Sequence, residues 1–126
     1  MRGLVPIGRA LFALIFITSI FSHFSGATIA YASAHGVPLA GIVVPLTGIL
    51  ALVGGVMVLL GYRARFGAFL LLVFLVPITL IMHDFWSVSD PQAAQLQKAM
   101  FLKNTAMVGA ALFIMYWGSG PYSLDD

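Results

Sequence analysis

The chain contains no cysteine and no glutamate, and it has few charges of either sign. Without cysteine, the polypeptide offers no disulfide, thiol redox chemistry, iron–sulfur cluster or thiolate metal site. Any electron-transfer role therefore falls to a bound cofactor or a partner chain. Charged residues make up 8% of the 126 residues and hydrophobic residues 61%, whereas a soluble domain is about a quarter charged. With a mean hydropathy of +1.05, the composition is that of an integral membrane protein. The acids are Asp84, Asp90, Asp125 and Asp126, and the cations are Arg2, Arg9, Arg63, Arg65, Lys98 and Lys103. No basic patch with interleaved aromatics stands outside the hydrophobic runs, so the expected partner is the lipid bilayer and not nucleic acid.

What is present is four long apolar runs, at roughly residues 10–31, 39–60, 66–82 and 99–117. Crossing the hydrocarbon core takes about 20 residues in a helix, whereas a barrel strand is about ten residues long and strictly alternating. The expected fold is therefore an all-α, antiparallel four-transmembrane-helix bundle, one domain over residues 1–126. Arg2, Arg9, Arg63 and Arg65 fall on one side of such a bundle, and Lys98 on the other with Lys103 slightly inside. The positive-inside rule then predicts cytoplasmic N- and C-termini and a multi-pass protein of a bacterial inner membrane. A cleavable signal peptide ending near Ala30-Tyr31-Ala32 is the rival reading of the N-terminus. Against it, several more residues follow the apolar stretch before that site, and the three remaining spans would place the C-terminus outside.

Small residues predict where helices meet, because lipid supplies no hydrophobic drive between them. Thr47, Ala51 and Gly55 form one stripe, with Gly48 and Gly54 beside it, and Ala106, Gly109 and Ala110 form a second. Packing within the bundle is the expected use of both. Pro45 is tolerated early in its helix, and Pro77 is expected to bend the third one. Phe85, Trp86, Tyr116 and Trp117 fit interfacial aromatic belts.

The polar residues concentrate where the third run ends, His83-Asp84-Phe85-Trp86, and where the fourth begins, Phe101-Leu102-Lys103-Asn104. Polar groups in lipid are costly unless they are paired, hydrated or used. Antiparallel packing brings Asp84 and Lys103 to similar depth, where they can neutralise each other, with His83, Gln97 or Asn104 completing the hydrogen bonds. The plainest reading is a structural clasp. A second is a head-group site for a quinone or lipid, with His83, Lys103 and Asn104 donating and Phe85 or Trp86 stacking. A third is a docking surface for an extracytoplasmic partner. A metal site is the weakest reading, because His23, His35 and His83 show no paired spacing. His23 is expected to be a neutral imidazole bonded to Ser19, Ser22 or Ser25, with a titrating role as the alternative. His35 is expected to be hydrated. No nucleophile–base pair or cofactor fingerprint marks a catalytic residue.

In their order and spacing, these stretches resemble the DoxX family of small four-helix bacterial membrane proteins. The matching segments are Gly8-Arg9, His35-Gly36-Val37-Pro38-Leu39, Pro45-Leu46-Thr47-Gly48, Gly54-Gly55 and Gly61-Tyr62-Arg63-Ala64-Arg65. His83-Asp84-Phe85-Trp86, Phe101-Leu102-Lys103-Asn104 and Gly120-Pro121-Tyr122-Ser123-Leu124-Asp125 complete the pattern. The resemblance implies a component of a membrane oxidoreductase system, acting with membrane or periplasmic redox partners and linked to quinone. It implies no activity for the isolated chain. Relatives commonly carry a lysine late in the first helix and a glutamate midway along the second. Here those places are taken by His23 and Ala51, so a lysine–glutamate pair is lost as a unit.

Overall fold

The computed structural model describes residues 1–124; Asp125, the last residue of the DoxX-like pattern, lies outside them. The described chain is all-helical: α1 (Leu4–Thr18), α2 (Ile20–His23), α3 (Gly26–Ala34), α4 (Ala40–Leu60), α5 (Ala64–Met82) and α6 (Pro91–Trp117). A 3₁₀ turn, Phe85–Ser87, precedes α6. Four segments are long and apolar enough to cross a bilayer: Leu4–His23, Ala40–Leu60, Ala64–Ser87 and Pro91–Trp117. Their outward faces carry large apolar side chains such as Leu11, Ile42 and Phe113, which suit a lipid solvent.

Hydroxyl groups cluster near the end of the first span and bond to its own carbonyls. Thr18 Oγ1 donates to Leu14 O (2.9 Å), Ser19 Oγ to Phe16 O (2.7 Å) and Ser22 Oγ to Ser19 O (2.9 Å). Such local bonds compete with the helical ladder. Ser19, between α1 and α2, keeps helical dihedrals and its N–H bonds to Ile15 O, whereas the chain leaves the helix at Phe24 before α3. The first helical region starts earlier than the apolar run implies and is divided at Phe24.

The α4–α5 turn follows from Gly61, whose φ of +68° suits glycine. Gly61 N–H donates to Val58 O (3.2 Å) and Tyr62 N–H to Met57 O (2.9 Å), the bond pair of a Schellman cap. At the start of α6, Asp90 Oδ2 accepts from Ala93 N–H (2.9 Å) and Pro91 takes the first helical position. α6 therefore begins eight residues before the fourth apolar run, and its 27 residues make it about 40 Å long. That exceeds the hydrocarbon thickness of about 30 Å by about 10 Å.

The main packing partners are α4 with α5, α5 with α6, and α1 with α4. The core joins Phe16, Ala51, Val58, Ala68, Leu71, Phe74, Leu75 and Ala111. The stripe on α4 works within the bundle. A methyl on Gly54 would meet Gly67 O of α5 at 2.9 Å, and one on Gly55 would meet Phe16 and Ile17 of α1. The stripe on α6 does not: Gly109 faces open space and Ala106 is exposed, while Ala111 is the buried alanine of that helix.

One end of the bundle gathers both ends of the described chain and the α4–α5 turn. Arg9 is buried there, and its Nη2 donates to Tyr122 O and, at 3.5 Å, to Pro121 O. Ser119 Oγ donates to Gly61 O (3.1 Å) and Leu124 N–H to Leu60 O (3.1 Å). Arg2, Arg63 and Arg65 belong to the same end, hereafter the arginine end. The opposite, His83 end carries α3, the 3₁₀ turn and the start of α6.

Candidate functional site

Two polar assemblies meet near His83. The first is a clasp at the end of the bundle. His83 Nδ1 donates to Gln97 Oε1 (2.8 Å), Gln97 Nε2 donates to Tyr31 OH (3.1 Å), and Tyr31 OH donates to Met82 O (3.0 Å). The Gln97 carbonyl can only accept, so Nδ1 is the protonated nitrogen of His83. These bonds connect α3, the end of α5 and the start of α6. His35 continues the assembly: its ring stacks on Tyr31 at 4.1 Å, and its Nδ1 donates to Tyr31 O (2.9 Å). His35 Nε2 lies 3.6 Å from Asp84 Oδ1. Burial and the nearby Asp84 carboxylate push the Tyr31 phenol above its ordinary pKa of 10.0, against a smaller lowering by the Gln97 hydrogen bond.

The second assembly is a cavity of about 220 Å³ between α1–α2 and α6, floored by α5. α1 and α6 are not principal packing partners, and this space lies where they fail to close on each other. Phe16, Phe74, Leu75 and Met107 give it apolar walls, and Ser19, Ser22, His23, His83, Lys103 and Asn104 give it polar ones. His23 and Asn104 are each 5% exposed. His23 Nδ1 donates to Ser19 O at 2.8 Å, which leaves Nε2 buried without a partner. Asn104 makes no side-chain hydrogen bond among the described residues. Gly48 makes room for the imidazole, since a methyl there would stand 2.5 Å from His23 Cβ. Phe74 packs against the same ring, with centroids 5.3 Å apart.

The residues singled out in the sequence divide between these assemblies. His83 belongs to both, Gln97 to the clasp, and His23, Lys103 and Asn104 to the cavity. The expected Asp84–Lys103 pair does not form. Asp84 is beside His35, and Lys103 Nζ lies 3.5 Å from Met100 Sδ. Both segments reach a similar depth, but rotation about the helix axes sends the two side chains apart. His35 is accordingly not merely hydrated. Trp86 is exposed and packs edge-on against Phe85 and Phe101, outside the cavity lining. Of the three serines proposed for His23, the partner is Ser19. Tyr31 and His35 went unrecognised as clasp members. Their four-residue spacing, which places them on one helix face, was the available signal.

The DoxX family profile matches residues 4–84, from the start of α1 through α5 to Asp84. Gln97, Lys103 and Asn104 of α6 therefore lie beyond the matched segment. No curated protein and no solved structure gives a significant match. The His23 and Ala51 positions lie in regions that pack together: His23 sits against Gly48, one helical turn before the fully buried Ala51. The matched segment covers well over half of the chain, and with four apolar spans behind it, this multi-pass membrane protein belongs to the DoxX family.

Proposed function

We propose that the protein is a non-catalytic subunit of a quinone-linked redox system in the bacterial inner membrane, and that its cavity holds a quinone-type head group. One observation carries this reading: His23 Nε2, buried without a partner, and the buried residue Asn104 line one cavity with apolar walls. An unsatisfied buried polar group costs about 1–3 kcal/mol, which a ligand oxygen recovers. The volume of about 220 Å³ falls below the roughly 300–1,000 Å³ of drug-sized sites, so it suits a single ring whose tail stays in lipid. The DoxX resemblance supplies the redox context, and without cysteine in this chain the electrons fall to a bound cofactor or a partner chain. In this reading the arginine end is cytoplasmic and the clasp faces outward.

The alternative is a structural or lipid-binding membrane protein with no redox link. The clasp favours it, because His83 and Gln97 are already satisfied by each other. Purification in mild detergent, followed by extraction and identification of bound lipids and quinones, separates the two. Quinone retained by the wild type and lost in Asn104→Leu supports the head-group site. If the wild type retains none, or the variant retains as much, the quinone reading fails and the structural one stands.

A further inference from the structure

We infer that the cavity is built for a ligand that donates a hydrogen bond to His23, so that it favours the reduced, dihydroxy form of a quinone over the dione. This rests on the reading of the cavity as a head-group site and deepens it by assigning the oxidation state of the occupant.

The reasoning starts at Ser19. Its backbone carbonyl has only lone pairs to offer, so the 2.8 Å contact with His23 Nδ1 requires the proton on Nδ1. In the neutral imidazole the other nitrogen, Nε2, is then an acceptor. It has no donor within the protein. The side chain cannot turn the other nitrogen inward without giving up the Ser19 bond, and Gly48 and Phe74 hold the ring from two sides.

On the α6 wall the chemistry differs. Lys103 can only donate, and the Asn104 amide can donate or accept. A dione offers two acceptor oxygens. One finds donors at Lys103 or Asn104, while the other would face the lone pair of Nε2, leaving both groups unsatisfied. A hydroquinone offers an O–H at each end of the ring. One O–H donates to His23 Nε2, and the opposite oxygen accepts from Asn104 or Lys103. Only the reduced form satisfies both walls.

The test uses the full chain in phosphatidylcholine nanodiscs under argon, with a decyl-substituted benzoquinone, its hydroquinone and the dimethyl ether of that hydroquinone as probes. One additional hydrogen bond predicts that the hydroquinone binds about five- to tenfold tighter than either the dione or the ether. His23→Phe keeps the ring shape and removes the acceptor, and it should bring the hydroquinone and the dione to equal affinity. Nitrogen NMR of the wild-type imidazole gives a second readout, since Nε2 should move toward a hydrogen-bonded shift when hydroquinone is added. A dione that binds as tightly as the hydroquinone, or an Nε2 signal that does not move, overturns the inference while leaving the head-group reading intact. If none of the three probes binds, the head-group reading itself falls, and the inference with it.

Discussion

Removing the amide of Gln97 should release the clasp, and the coupling it breaks can be measured. Gln97 accepts from His83 Nδ1 and donates to Tyr31 OH. A net hydrogen bond is worth about 0.5–1.5 kcal/mol, and these lie at a partly exposed end of the bundle, so the lower half of that range applies. Gln97→Leu should therefore destabilise by about 1–2 kcal/mol, and Tyr31→Phe by a similar amount, since it loses the Met82 and Gln97 bonds but keeps the His35 stack. Because one bond is shared, the double variant should cost less than the sum by about 0.5–1 kcal/mol. Reversible unfolding in mixed micelles, followed by circular dichroism, gives all four free energies. Asp84→Asn with Lys103→Met serves as the contrast: the two groups do not pair, so their effects should add. Strict additivity for Gln97 and Tyr31, or coupling of similar size between Asp84 and Lys103, would refute the clasp as described.

The remaining predictions concern titration, packing and topology. The Tyr31 phenol should ionise above 10.0 in ultraviolet titration; Asp84→Asn should lower that value and Gln97→Leu should raise it. Because the folded-state value is the higher one, the stability Tyr31 contributes is intact below the unfolded value of about 10 and declines as pH rises past it toward the folded value, seen as a falling Tm above about pH 10 that Tyr31→Phe lessens. Gly48→Ala should cost about 1–3 kcal/mol in the same unfolding assay, because the new methyl meets His23 at its own Cβ, which cannot swing away. Gly61→Ala should cost about 2 kcal/mol or more, through its φ of +68° and collisions with Arg9 and Ser123. The chain lacks cysteine, so Ser33→Cys and Ser119→Cys give single reporters at opposite ends. An impermeant maleimide applied to intact cells should label Ser33→Cys alone, and the reverse pattern would invert the topology.

The four spans were legible because lipid writes a simple requirement into sequence: about 20 apolar residues in a row. The start of α6 was not, since Gln92, Gln95, Gln97 and Lys98 extend a helix past the hydrophobic zone, and hydropathy reports solvent and not backbone conformation. Asp90 followed by Pro91 was the sign of that start. The break at Phe24 was likewise hidden, following hydroxyls that bond to carbonyls within a run that reads as apolar. At the site, polarity alone singled out His23, His83, Lys103 and Asn104, which line one cavity. Their partners were not readable, because the rotation of each helix about its axis decides which neighbour a side chain meets. That rotation is why Asp84 meets His35, why Lys103 turns to Met100, and why only one of the two small-residue stripes is used.

The hold of Arg9 on the far end of the chain also bears on how the bundle is assembled. Pro121 and Tyr122 follow Arg9 by 112 and 113 residues. Synthesis runs at about 5–20 residues per second, so α1 waits several seconds or more in or near the membrane before these carbonyls exist. Throughout that wait its guanidinium needs water, lipid phosphate or an insertion factor as a substitute partner. Seating the C-terminal segment over Gly61 replaces that partner and closes the arginine end. A chain halted before Pro121 would lack both carbonyls that accept from Arg9 Nη2.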